Sequence, residues 1–394
     1  IEELKNALKD SLPPYMVPGT VILINEFPLT ISGKVNLNDL TKITADEVYE
    51  SKENESATKL ENVVAKIWQQ VLGLNKIDLD ANYFSIGGNS IDTVRIVNQL
   101  KKKLEIEVPI STLYQNPTVT TFCKAITSQS TSELSSIILL KQGTSQNSLT
   151  IIHPIGGDVT CYRKLIDTLG DHLTVWGIQR PEFSFLENPK IWTVEQLAKL
   201  YVAQLKLKQP KGPYKLAGWS FGGVLAFEMT RQLESIGEVV DFLGLIDSHF
   251  LLPGREIVSN VDLNELKDSN LGSQDFDGGK VFGEIWSKLE CHINNSITNA
   301  SVDSQLSSFF RGIYLSNWLA LSKYNAESIV SRITLFSATE SESIVPLLER
   351  SAYISKLSTE KLNIHNIDGD HFSIVVGDDM PKLAKILSKE IELL

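Results

Sequence analysis

The sequence predicts a multidomain chain: a mostly parallel α/β sheet domain over residues 137–394, preceded by a small all-α bundle over 57–128. Three observations carry this. Beyond residue 137, short apolar runs alternate with helical-period segments, the signature of parallel strands and the helices that cover them. At Gly218-Trp219-Ser220-Phe221-Gly222 an apolar strand passes straight into a helix through a serine flanked by glycines. Between 57 and 128, apolar residues recur at helical spacing.

Composition narrows the function classes. The 394 residues allow two or three domains. A net charge of −11 argues against a nucleic-acid or anionic-membrane surface. The one basic run, Lys101-Lys102-Lys103, closes a helix, where favourable interaction with the C-terminal end of the dipole accounts for it. Cys123, Cys161 and Cys291 are odd in number and lack C-x-x-C spacing, which points to a reducing compartment without disulfides or zinc. There is no basic-then-apolar leader and no apolar run of bilayer length, so a soluble, cytoplasmic protein is expected. The chain opens at Ile1 in mid-helix (Glu2, Leu4, Leu8) without an initiator Met and reads as a piece of a longer polypeptide.

Residues 1–42 hold a short helix, the run Leu12-Pro13-Pro14-Tyr15-Met16-Val17-Pro18, a strand over 20–25 and a loop through Ser32-Gly33-Lys34-Val35-Asn36. So few long apolar segments cannot close a core, which makes this the tail of a larger domain. The following residues, to 56, have the polar composition of a linker. An amphipathic helix over 57–72 presents Leu60, Val63, Val64, Ile67, Trp68 and Val71 on one face. A loop over 73–87 leads to a second helix opening at Ser90; a turn over 109–114 and a helix after Pro117 complete a four-helix bundle. A serine at a helix start either caps the helix or presents its hydroxyl beside the positive end of the dipole, where a phosphodiester is well tolerated.

A Ser-, Thr- and Gln-rich linker over 128–136 precedes the sheet domain. Strands are expected there over 137–141, 149–152, 173–178, 214–217, 239–246, 333–337 and 362–367. Helices are expected over 159–169, 194–207, from Phe221 onward, and over 382–393. With the serine elbow this order is the α/β-hydrolase pattern. Residues 250–328 interrupt it with amphipathic helical stretches, among them Phe282, Trp286, Phe309, Phe310, Ile313, Tyr314 and Trp318, that read as a helical cap.

At the elbow, strand and helix approach so closely that a Cβ on either glycine would collide. The turn lifts the Ser220 hydroxyl clear and aims the first helical N–H groups at a developing oxyanion. A nucleophilic serine needs a base and a carboxylate to orient it, in the chain order Ser, acid, His. Of six histidines only His365 and His371 fall late enough; His365 lies inside a strand, whereas His371 follows Asp368-Gly369-Asp370 in the loop beyond it and is the candidate base. Asp247, closing the strand over 239–246, is the candidate acid, with Glu340 after the next strand its competitor. Oxyanion donors are expected from Phe221 and from the loop His153-Pro154-Ile155-Gly156-Gly157, with Ile155 ahead of Gly156. His153 reads as part of that loop's shape and Cys161 as a buried thiol. Asp368, Asp370 and His371 lack a second His or Cys to complete a metal cluster, so no metal is expected.

Three groups of residues resemble one family, the nonribosomal peptide synthetases. Leu12 to Pro18 and Ser32-Gly33-Lys34-Val35-Asn36-Leu37 resemble the last two motifs of its adenylation domains, usually ending Asn-Gly-Lys-Val-Asp-Arg. That resemblance implies that Lys34 occupies the place of the lysine reaching the acyl-adenylate; without the nucleotide-binding bulk, no adenylation activity is expected. Phe84-Ser85-Ile86-Gly87-Gly88-Asn89-Ser90-Ile91 resembles the attachment site of peptidyl carrier domains, with Asn89 where the family often has His or Asp. This implies 4'-phosphopantetheine on Ser90, installed by a phosphopantetheinyl transferase. Residues 137–394, through the His-Pro-x-Gly-Gly loop, the elbow and Gly369-Asp370-His371, resemble type I thioesterase domains. The architecture implied is an α+β adenylation remnant (1–42), an all-α four-helix carrier bundle (57–128) and an α/β-hydrolase thioesterase (137–394) with a helical lid at about 250–328. The implied partners are upstream condensation and adenylation domains and a carrier-bound peptide. The chain would pass from Ser90 to Ser220 and leave by hydrolysis or cyclisation. Two rivals stand beside this: a binding module whose carrier serves outside enzymes, and a free-standing esterase fused to an unrelated bundle.

Overall fold

A computed structural model describes residues 28, 35, 36, 57–84, 86–88, 90–106, 108–127, 136–145, 147–184, 190–250, 304–340 and 347–392. Lys34, both expected linkers apart from Ser136, and residues 251–303 of the expected cap lie outside the described residues. The chain divides into two compact units, residues 1–106 with 116–130, and residues 107–115 with 131–394.

The first unit holds α1 (Lys59–Leu72), α2 (Ser90–Leu104) and α4 (Val119–Thr127); the short α3 (Ile110–Gln115), expected in the same four-helix bundle, groups with the second unit. Thr58 starts α1 with a capping box: its hydroxyl accepts from Glu61 N at 3.2 Å while the Glu61 carboxylate accepts from Thr58 N at 2.8 Å. Gly73 stops the helix in the left-handed region at φ +68°, which a side chain would resist. The face read from the sequence buries Val64, Ile67 and Trp68, and the Trp68 ring meets Tyr83 edge-on at 4.9 Å and Phe122 at 6.0 Å.

The second unit is built on a seven-stranded sheet: β1 (Ile137–Lys141), β2 (Ser148–Ile152), β3 (Thr174–Ile178), β4 (Tyr214–Trp219), β5 (Val240–Ile246), β6 (Ile333–Ala338) and β7 (Asn363–Ile367). Their spatial order is β1-β3-β2-β4-β5-β6-β7, with β1 antiparallel to β3 and every other pair parallel. Among the described residues, helices α5 (Arg163–Thr168), α6 (Val194–Lys208), α7 (Phe221–Ser235), α8 (Ser304–Lys323), α9 (Leu347–Ile354), α10 (Ser373–Val376) and α11 (Met380–Glu392) accompany it. Each face has its own core, one holding Leu197, Tyr201 and Leu205 of α6 with Val224 and Phe227 of α7, the other Leu165 and Ile166 of α5 with Leu383 and Leu387 of α11. All six residues of β4 are buried, as a central parallel strand covered on both faces requires.

Most boundaries shift by one or two residues from the sequence reading, and two of the differences have a visible local cause. The helix expected over 159–169 is a 3₁₀ turn, Thr160–Tyr162, followed by α5. The Asp158 carboxylate accepts from Thr160 N at 2.9 Å, a local hydrogen bond that competes with α-helical pairing. Helix α11 begins at Met380, ahead of residue 382, because Pro381 needs no N–H partner in a first turn.

Candidate active site

The elbow is strained. Ser220, between β4 and α7, stands at φ +57° and ψ −123°, a region that L-residues rarely occupy. The crossing leaves no alternative: a Cβ on Gly222 would lie 2.7 Å from the His153 carbonyl oxygen, and one on Gly218 would run into the backbone of Gly222. Ser220 N donates to Ile246 O at 2.9 Å, fixing the turn to the end of β5. Tyr162 OH donates to Ile152 O and accepts from Trp219 N, both at 2.8 Å, so the ends of β2 and β4 are tied as well. From α7, the buried Glu228 carboxylate accepts from Tyr324 OH at 2.9 Å and from Arg231 at 2.8 Å, anchoring the helix behind the serine.

At the ends of β5 and β7 the structure brings Asp247 and His371 together. Asp247 is fully buried, at φ +39°, and its Oδ2 accepts from His371 Nδ1 at 2.7 Å. A carboxylate only accepts, so the His371 proton sits on Nδ1 and Nε2 is left as the acceptor. The other oxygen, Oδ1, takes Arg350 Nη1 at 3.0 Å and Ala338 N at 3.3 Å, while Arg350 Nη2 donates to Ser337 Oγ at 2.5 Å. Burial works to raise the Asp247 pKa, but hydrogen bonds and charge from His249 and His371 hold it well below the carboxylate range. The His371 ring lies 5.0 Å from that of Trp219 and 5.3 Å from that of Phe372, which limit its orientation. Among the described hydrogen bonds none joins Ser220 Oγ to His371; such contacts often tighten only around substrate.

Asp247, His249 and His371 bring ligand atoms within 4.8 Å of one another. Arg350 already places a positive charge against Asp247 Oδ1 and stands 3.1 Å from the His249 ring nitrogens, an arrangement hostile to a second cation. Burial, and then the charge of Arg350, lower the pKa of His249 against the pull of Asp247. Neither Arg350 nor His249 stood out in the sequence: a lone arginine in an amphipathic helix reads as a solvated charge, yet this one is 3% exposed.

The loop His153 to Gly157 follows β2. His153 is fully buried; its Nδ1 lies 2.6 Å from Pro154 O and its Nε2 2.8 Å from Tyr201 OH. A carbonyl can only accept, so the proton is on Nδ1 and Nε2 accepts from the tyrosine. Burial, opposed by the bond to Pro154, lowers the His153 pKa to about 3. Ile155 O accepts from Asn317 Nδ2 at 2.8 Å, and Gly157 O from Arg180 N at 2.8 Å. Phe221 opens α7, where the first helical N–H groups have no intrahelical partner.

The remaining sequence candidates lie elsewhere. His365 Nε2 contacts Glu390 Oε1 at 2.9 Å, and its ring stacks on Phe336. Glu340 is exposed, with its backbone N donating to Gly369 O. Cys123 is buried, its thiol pushed up to about 12 by burial and then by Glu61; Cys161, expected to be buried, is only half-buried, its thiol raised by desolvation and then by Asp158. Ser90 is the first residue of α2, after Gly87 at φ +103° and Gly88, whose Cβ would lie 2.6 Å from Tyr83 Cδ1. A backbone this close to Tyr83, entering a 15-residue helix at a serine, fits a phosphodiester at a helix N-terminus. No described helix is long and apolar enough to cross a membrane.

A mostly parallel sheet whose central strand turns sharply through a serine into a helix is the α/β-hydrolase-like fold. The chain belongs to the thioesterase domain family, which matches residues 147–391, and the phosphopantetheine attachment site family matches residues 62–126. It is similar to a dimodular nonribosomal peptide synthase of Bacillus subtilis (strain 168), 26% identical over 401 residues, covering 99% of this chain and 16% of that protein. It is also similar to indigoidine synthase of Dickeya dadantii (strain 3937), 32% identical over 245 residues, 62% of this chain and 16% of that protein. Among solved structures, a holo four-domain nonribosomal peptide synthetase bound to AMP and glycine matches with TM-score 0.56 and 26% identity, over 99% of this chain and 30% of that one. The chain thus spans less than a third of the length of each of these relatives.

Proposed function

We propose that the chain releases a finished acyl or peptidyl chain in nonribosomal peptide synthesis. Residues 57–128 serve as the carrier domain and 137–394 as the thioesterase, with a lid at about 250–328. Similarity to synthetases over nearly the whole chain supports reading 1–42, with Lys34, as an adenylation remnant. Ser90 holds 4'-phosphopantetheine, which supplies a flexible thiol to carry the chain as a thioester. Ser220 Oγ attacks the thioester carbonyl while His371 Nε2 takes its proton, and Asp247 keeps Nδ1–H in place and stabilises the imidazolium. The N–H groups of Phe221 and Ile155 receive the oxyanion. His371 returns the proton to the departing thiol. Water, or an amine or hydroxyl of the chain itself, then attacks the Ser220 ester, with His371 again the base. Upstream condensation and adenylation domains supply the chain and a phosphopantetheinyl transferase modifies Ser90. Two cysteines free in the described residues suit a reducing cytoplasm.

The observation that carries this reading is the buried Asp247–His371 pair in the same domain as a strained serine. The test uses a Ser220→Ala protein charged at Ser90 with an acyl-phosphopantetheine by a transferase. Mass spectrometry should show the acyl chain retained on Ser90, whereas the wild-type protein loses it; prompt release from the variant, or failure of Ser90 to be modified, overturns the reading.

A further inference from the structure

Three carbonyls of the loop after β2 are held, one by a side chain of the loop itself and two from outside it. Pro154 O is held by His153, Ile155 O by Asn317 and Gly157 O by Arg180 N. In a planar trans peptide the C=O and the following N–H point in opposite directions, so pinning a carbonyl aims the next amide. His153, together with Gly157 N, which donates to the same Pro154 O at 3.0 Å, therefore sets the direction of Ile155 N–H, and Asn317 that of Gly156 N–H. These are the two amides that the sequence offers as oxyanion donors.

Asn317 differs from His153 in where it stands. It lies on α8, fully buried, about 160 residues further along the chain from the loop it holds. Its own amide cannot turn over, because Oδ1 accepts from Arg180 Nη1 at 2.7 Å, which leaves Nδ2 for Ile155. Arg180 is in turn immobilised. It is fully buried and makes a bidentate pair with Glu182 at 2.7 and 2.9 Å, and its Nη2 donates to Lys190 O at 2.9 Å. Glu182 also accepts from Trp192 Nε1 at 2.9 Å and Lys190 N at 3.1 Å. Burial alone would raise the Glu182 pKa, but the bonds and charge from Arg180 lower it, so the pair stays ionised. A buried ion pair of this kind adds little net stability; what it fixes is geometry.

We infer that Asn317 is a positioning residue for the oxyanion site: held by the Arg180–Glu182 pair, it sets the Ile155–Gly156 peptide from helix α8. The inference rests on the proposed role of the Ile155 loop. Ile155 N–H, the proposed donor, belongs to the Pro154–Ile155 peptide. Asn317 fixes the next peptide, so that it holds Ile155 from its carbonyl side and aims Gly156 N–H, the second candidate. Asn317 touches no reacting atom; it acts on the loop through Ile155 O.

Asn317→Asp separates this role from packing. The aspartate keeps the shape and the acceptor for Arg180 but loses the donor and turns an anionic oxygen toward Ile155 O. On the full chain, with the octanoyl thioester of N-acetylcysteamine as probe, kcat should fall roughly 10- to 100-fold with KM within about twofold, less than the about 10²- to 10³-fold that removing a donor outright costs, because the amides are misaimed and not lost. The melting temperature should fall as well, because a buried anionic oxygen then faces Ile155 O, so kcat is read well below the melting transition. A kcat within twofold of wild type, while Ser220→Ala abolishes turnover, overturns the role of Asn317 and leaves the proposed reaction standing. If Ser220→Ala turns over as wild type does, it is the reaction that fails. A second reading then decides on Asn317: carbonyl-13C isoleucine with 15N glycine labels three Ile-Gly amides, those of Gly87, Gly156 and Gly237. The Gly156 resonance should move in the variant and the other two should not; an unmoved Gly156 overturns the inference. Should Asn317→Asp fail to fold, Asn317→Ala, which removes the contact without adding charge, is subjected to the same measurements.

Discussion

His371 Nδ1 lies 2.7 Å from Oδ2 of a fully buried Asp247, 124 residues earlier in the chain. The bond holds the imidazole in the tautomer whose Nε2 can accept a proton. Asp247→Asn would offer the ring an N–H where it needs an acceptor and reverse that tautomer. Thiol release from an acyl thioester should then fall by about 10³- to 10⁴-fold in kcat, the scale such a reversal produces in a serine hydrolase. Steady-state kinetics near neutral pH would measure it. A loss under tenfold means that Asp247 does not orient the base.

The strain at Ser220 makes a thermodynamic prediction of the opposite sign. An L-residue at φ +57° and ψ −123° costs about 1–3 kcal/mol. Ala in place of Ser removes the hydroxyl and keeps the strain; Gly removes both. Ser220→Gly should therefore melt higher than Ser220→Ala by several degrees, the relief of strain adding to the preference of an N-cap for glycine over alanine. Both variants are expected to be inactive on thioesters. Equal melting temperatures would mean that the turn is not strained in solution.

These two sites also show what the sequence could reveal. The elbow was legible because its chemistry is local: an apolar strand, two glycines and a helical period lie within a dozen or so residues. The seven strands were legible for the same reason. Asp247 and His371 were reached through chain order, since nothing local marks either as the partner of the other. Arg350 and Arg180 were not legible. Each sits among residues that read as surface, in Leu348-Glu349-Arg350-Ser351 and Gln179-Arg180-Pro181-Glu182, and each is buried by elements remote in sequence. The boundary of α5 was missed because a single Asp158 side chain outcompetes a helical hydrogen bond, a contest that apolar periodicity does not record.

Arg350 can be tested by stability. It spans Asp247 Oδ1 and Ser337 Oγ while only 3% exposed, so Arg350→Met leaves a buried carboxylate with one cation fewer. Breaking a buried pair from one side typically costs about 3–5 kcal/mol. For a domain of this size that corresponds to roughly 6–20 °C in melting temperature. Arg350→Lys should recover only part of it, because one ammonium cannot replace a planar fork that reaches two acceptors. Scanning calorimetry of the three proteins makes the comparison; a methionine variant within a degree of wild type would show the pair to be neutral.

His153 supplies a pH prediction whose sign follows from its burial. Its pKa is lowered from 6.5 to about 3 in the fold, so the folded chain keeps it neutral while the unfolded chain takes up a proton below about 6.5. The stabilisation is therefore complete above pH 6.5 and is lost progressively as pH falls from 6.5 toward 3, at about 1.4 kcal/mol per pH unit for one proton. His249, lowered by burial and Arg350, acts in the same direction, which makes a difference measurement necessary. Between pH 6.5 and 5 the wild-type chain should lose about 2 kcal/mol more unfolding free energy than His153→Gln, measured by urea denaturation at both pH values. The variant is expected to start less stable, because the grip on Pro154 O and the partner of Tyr201 OH are disturbed, but to have the flatter pH profile. Parallel profiles would mean that His153 is protonated in the folded protein; Nε2 would then become a donor facing Tyr201 OH, and the hydroxyl would have to reverse from donor to acceptor.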